Sequence, residues 1–241
     1  AITVCAFSGA LISALAGFGG AVTFLAVAGL AQSWIDGLSM RYIIMLSIFR
    51  SAFTNPVTVW LGRKDCDRTL MHLLLPMLPG ILIGAPLGQL ALYSLPVHQV
   101  KACLGVVCLV VVMERLTKPL RERQQDGISE VPDTETATPK RRTASAVTGL
   151  FGGLLGSALG TGGVPVMIFV AYFPLRKGTT RNLVCCLGWP SQMFALGSFA
   201  WHEELMPSRD WPALLCVVVA SSLGLFVGDR LHRRVPVSFI A

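Results

Sequence analysis

Arg50 is the one charged residue deep inside an apolar run, the ninth position of the stretch 42–61. Ser47, Ser51, Thr54 and Thr58 accompany it. At 100° per residue all five fall within about 100° of one another on a helix. A guanidinium in hydrocarbon costs at least about 2.5–3.5 kcal/mol unless it faces protein or water, so this polar stripe must turn inward. A permanently charged fork of N–H donors suits a small oxyanion; the structural alternative is a partner for backbone carbonyls. A second set of residues points to the same chemistry. Gly17-Phe18-Gly19-Gly20, with Thr23 after it, interrupts one apolar segment, and Gly160-Thr161-Gly162-Gly163 interrupts another. A helix restarting after such a break presents unpaired N–H groups and the positive end of its dipole. Glycine lets a ligand approach that backbone, and together these cradle an anion. Close packing between the two arms is the alternative. The candidate anion-binding set is Gly17, Gly19, Gly20, Thr23, Arg50, Thr54, Gly160, Thr161, Gly162 and Gly163.

The other residues argue against catalysis. All 13 acidic residues fall in loops or at helix ends, which leaves no carboxylate relay inside the apolar runs. His72 is a weak candidate for proton coupling, a surface histidine being its plainer role. His202-Glu203-Glu204 lacks the second histidine of a zinc-protease helix, no Gly-x-Ser-x-Gly elbow occurs, and no Gly-Lys-Ser/Thr follows either glycine cluster. The seven cysteines lie mostly within apolar runs and form no Cys-x-x-Cys pair, so neither a metal nor a cofactor is expected.

Composition says which solvent the scaffold faces. Hydrophobic residues make up 53% and charged residues 14%, and the mean hydropathy is +0.64. A soluble domain carries about 25% charge. Residues 70–93, 97–116, 182–201 and 211–228 are each long enough to cross a bilayer core of about 30 Å as a helix. The alternating segments of roughly ten residues that a membrane barrel needs are absent. The net charge of +7 comes mainly from cations in loops beside apolar runs, where membrane orientation explains them and nucleic acid is not needed as a partner. The chain starts at Ala1 and stops at Ala241 within a new apolar segment, which reads as a fragment or a processed product.

The chain also repeats itself. Gly9, Gly17, Gly19 and Gly20 match Gly152, Gly160, Gly162 and Gly163 at a constant shift of 143, and Asp67 matches Asp210. Gly80, Gly84, Gly88 and Pro96 match Ala220, Gly224, Gly228 and Pro236 at a shift of 140. The reading is a first repeat, 1–116, a charged linker, 117–142, and a second repeat, 143–241, whose last helix is incomplete. The broken segments, 2–35 and 144–174, either cross the membrane or dip in and return. If they cross, the cations outside Arg50 divide 11 to 8 between the two sides; if they return, 16 to 3. The second division follows the positive-inside rule. The expected fold is therefore all-α: two inverted repeats, each a glycine-broken re-entrant hairpin plus three transmembrane helices. The linker falls on the cytoplasmic, cation-rich side. Gly80, Gly84 and Gly88 read as a small-residue face for close helix packing.

The run Gly149-Leu-Phe-Gly-Gly-Leu-Leu-Gly-Ser-Ala-Leu-Gly-Thr-Gly-Gly163, with Lys177 and Arg181 after it, resembles the second-half signature of the sulfite exporter TauE/SafE family. Leu75-Pro-Met-Leu-Pro-Gly-Ile-Leu-Ile-Gly-Ala-Pro-Leu-Gly88, with Leu104-Gly105, is similar to that family's first half. Val164 departs from it, standing where the family often has proline. The resemblance implies transport of sulfite, sulfonates or related sulfur-containing anions, in the outward direction. The expected partners are such an anion and the lipid bilayer, with an oligomer or larger membrane complex compatible. The alternatives are a non-transporting subunit that retained the fold and a channel-like pathway.

Overall fold

The structure is a computed structural model. It describes residues 6–8, 10, 24–25, 39–63, 68–96, 98–100, 102–107, 109–110, 113, 139–173, 175, 177–202 and 207–232. Six helices are complete enough to name: α1 (Met40–Leu61), α2 (Arg68–Ser94), α3 (Pro139–Leu159), α4 (Gly163–Tyr172), α5 (Lys177–Trp201) and α6 (Pro207–His232). Residues 98–100 and 102–107 are helical too, and no strand occurs among the described residues. The first-half break, Gly17 to Thr23, lies outside the described residues.

Local chemistry accounts for the helix ends. Ser39 caps α1 from extended backbone, its Oγ accepting from the Tyr42 N–H at 3.1 Å. Gly62 closes the other end, with its N–H on the Thr58 carbonyl at 3.0 Å. Helix α3 begins at Pro139, four residues inside the stretch expected as linker. Proline suits a first helical position because its missing N–H would have had no partner there, and the Thr143 hydroxyl donates back to the Pro139 carbonyl at 3.1 Å. Only the part of the expected linker before Pro139 remains a candidate for solvated chain.

The outer surface is apolar. Met71, Leu75, Leu82, Ile83 and Leu90 of α2 are all exposed, Leu75 and Leu82 to 72%. Such a patch is a liability in water and natural in hydrocarbon. Leu70–Ser94 and Gly178–Trp201 are long and apolar enough to cross a membrane. At ten residues, or about 15 Å, α4 is too short to do so alone.

Helix direction follows from named contacts. Helices α2 and α3 run parallel, since Met77 meets Gly149, Ile81 meets Gly153, and Ser157 Oγ donates to the Ala85 carbonyl at 2.8 Å. Gly80, Gly84 and Gly88 sit directly on the α3 backbone, where any side chain would collide, so they form the packing face expected of them. Helix α5 runs antiparallel to α1: Asn55 Nδ2 donates to Gln192 Oε1 at 2.9 Å and Asn182 Nδ2 to the Gly62 carbonyl at 2.8 Å. At one end of the molecule Arg141 stacks over Phe173, and Gly62 meets Asn182. At the other end Tyr93 lies beside both Arg41 and His202.

Candidate functional site

The break between α3 and α4 is a tight reversal. Gly160 adopts φ +71°, a left-handed conformation that glycine reaches without strain. The N–H groups of Gly160 and Thr161 turn back onto the Gly156 and Leu155 carbonyls, both at 3.1 Å, and cap α3. The Val164 N–H is held by the Thr161 carbonyl at 3.2 Å, and Pro165 has no N–H. Most backbone donors of this break are thus committed within the protein. Gly162 is pressed against α3, where an added Cβ would lie 2.8 Å from the Gly152 carbonyl. Gly163 faces α5, where the same atom would lie 2.9 Å from Val184 Cγ1. These two glycines perform the packing role.

The polar chemistry sits in side chains instead. Gly160 rests against α1: a Cβ there would lie 3.4 Å from Ser47 Oγ and 3.2 Å from Ile48 Cγ1. Arg50 follows Ser47 by one turn on the same face. Ser47 is 0% exposed, Arg50 3% and Thr161 2%. Ser47 Oγ, Arg50 Nε and Nη1, and Thr161 Oγ1 are buried with no hydrogen-bond partner among the described residues. Buried polar atoms are nearly always paired, so these four stand out among the described residues. The Arg50 guanidinium carbon stands 5.3 Å from the centre of the Phe24 ring, which covers one face of the cation. Phe24 follows Gly20 by four residues, so Arg50 touches the first glycine-broken segment while its helix touches the second.

Of the expected set, the structure brings Arg50, Gly160 and Thr161 to one region through α1. Thr54 adjoins them, but its hydroxyl donates to the Arg50 carbonyl at 3.1 Å, which commits its proton. Gly17, Gly19, Gly20 and Thr23 fall outside the described residues. Ser47, beside Gly160, was visible in the sequence only as part of the polar stripe. Phe24 left no sequence signal. From Arg50 a polar seam between α1 and α5, Ser51, Asn55, Thr58, Gln192 and Asn182, leads toward the Arg63 end of α1.

A guanidinium and two hydroxyls are donor groups of the kind that a small anion takes. The arrangement contains no carboxylate, and among the described residues no group of three or more histidine, cysteine or acidic side chains could hold a metal ion. No curated protein and no solved structure gives a match to the chain. The family profile described as sulfite exporter TauE/SafE matches residues 2–241. Glycine-broken helices, an apolar exterior and that match lead to one statement: the chain belongs to the sulfite exporter TauE/SafE family of membrane transporters.

Proposed function

We propose that the chain exports a small sulfur-containing anion, sulfite or a sulfonate, through a site formed by Arg50, Ser47, Gly160 and Thr161. One observation carries this reading: four buried donor atoms on α1 and the second break have no protein partner among the described residues. A buried cation without an anion is among the costliest arrangements in a protein. An oxyanion supplies the missing acceptors and the missing charge at once.

The helix directions support a re-entrant second break. If both broken segments crossed the membrane, α1 and α5 would run parallel. They run antiparallel, and Gly62 and Asn182 share an end. The cation-rich segments around Arg63, Arg142 and Arg181 then fall on one side, read as cytoplasmic by the positive-inside rule. Two halves with an odd number of spans are inverted relative to each other, the plan on which rocking exposes a midplane site to alternate sides. A negative interior favours anion exit by about 2.3 kcal/mol per charge per 100 mV, so export needs neither a coupling ion nor a cofactor. Transport rather than enzymatic turnover is the reading, and the family match lends nothing to a non-transporting subunit.

The test is sulfite efflux from proteoliposomes. Wild type is expected to give saturable flux and Arg50→Ala a loss of at least about tenfold, the worth of one or two charge-assisted hydrogen bonds. Flux indifferent to Arg50→Ala overturns the site. Conductance without saturation would instead indicate a channel.

A further inference from the structure

An apolar groove of about 680 Å³ lies between residues 102, 103, 106, 107 and 110 and the α3–α4 pair. Val106 and Val110 form one wall, and Val147, Phe151 and Leu155 of α3 with Ile168 of α4 form the other. Val106, Val147, Phe151 and Ile168 are between 42% and 60% exposed, so the groove is open among the described residues. Its length offers almost nothing to a polar guest. The Thr148 hydroxyl on its wall already donates to the Ala144 carbonyl at 2.7 Å.

One end is different. Ala144 and Phe173 close the groove there, and the Arg141 guanidinium carbon sits 5.8 Å from the Phe173 ring centre. Lys140 and Arg142 flank it and are exposed. The positive end of the α3 dipole adds to the same field. Residues 98–113 and 139–173 contain no aspartate or glutamate to offset it. From Ala144 to Leu155 the wall is eleven residues long, about 17 Å, or little more than half of a hydrocarbon core of about 30 Å. The groove therefore has the length of one leaflet, and among the described residues the cations beside it, Lys140, Arg141 and Arg142, lie at its outer end.

We propose that this groove seats one acyl chain of an anionic phospholipid, whose phosphate lies against the exposed Lys140 and Arg142. The occupant is a lipid rather than a peptide because the walls are apolar and half-exposed at bilayer depth, while the charge is confined to the rim. Anionic lipids are enriched in the cytoplasmic leaflet, the side to which the cation count assigns this end.

The full chain in nanodiscs tests this through Cys103, which lines the groove and is exposed. A variant keeping Cys103 as its sole cysteine carries a fluorophore there, and quenching is compared between phosphatidylglycerol and phosphatidylcholine with brominated chains. Phosphatidylglycerol should quench preferentially, by about fivefold or more in relative affinity, and K140Q/R142Q should remove most of that preference. Equal quenching by both lipids overturns the proposal. So does quenching by neither, which would give the groove to a segment of this chain or a second copy. Should the single-cysteine variant fail to fold, native mass spectrometry of the unlabelled chain decides the question. Retention of phosphatidylglycerol that K140Q/R142Q abolishes supports the lipid seat, and equal retention of both lipids contradicts it.

Discussion

Arg50 gives up hydration for a position where Nε and Nη1 meet no acceptor among the described residues. A buried guanidinium without acceptors costs stability, which the proposed anion would offset. Replacing Arg50 with methionine, which fits the stem volume and removes the charge, should leave the thermal midpoint unchanged or raise it while abolishing flux. A differential scan on purified protein checks the first half of that statement. Ser47→Ala and Thr161→Val each remove one hydroxyl of the proposed anion site. Each should raise the KM for sulfite about tenfold with little change in protein stability, the usual worth of a hydrogen bond to a charged group. Arg50 could be picked out in the sequence because a lone charge in an apolar run has few explanations. Phe24 could not, because which ring covers a guanidinium depends on how distant segments pack.

At the scale of elements, α3 does the most with the least side chain. Gly149 and Gly153 admit α2, while Gly152 and Gly156 admit α5 and the Gly162 backbone. One helix thus carries two smooth faces and holds both neighbours at close range. Gly153→Leu places a side chain where even a Cβ would lie 2.8 Å from the Ile81 carbonyl oxygen. It should destabilise the fold by about 1–3 kcal/mol or more, seen as a lower midpoint and reduced yield. Gly197→Ala is the control, because a Cβ there meets nothing within 4 Å, and it should behave as wild type. The apolar runs and the second glycine break were legible because lipid demands long runs and glycine interrupts them. The start of α3 was not. Pro139 with three cations after it looks like solvated linker, yet proline and long basic side chains are equally at home in a first helical turn. The division of labour within the second break was also hidden. The spacing of Gly160, Gly162 and Gly163 shows a break but not which glycine turns the chain and which two pack against neighbours.

For the whole molecule, the repeats and the cation count are two signals in the sequence that agree on an inverted pair. The antiparallel course of α1 and α5 is an independent geometric support. Single cysteines introduced at Arg63 and Arg142 should be labelled from the same side of oriented membranes, and one at His202 from the opposite side. Labelling of Arg63 and Arg142 positions from opposite sides would contradict that topology. The deeper claim is that the two halves meet around an anion at Arg50. Calorimetric titration of purified wild type and Arg50→Met with sulfite, both shown to be folded, tests it most directly. Saturable binding by wild type that weakens at least about tenfold in the variant is the predicted result; equal binding by the two proteins would contradict it.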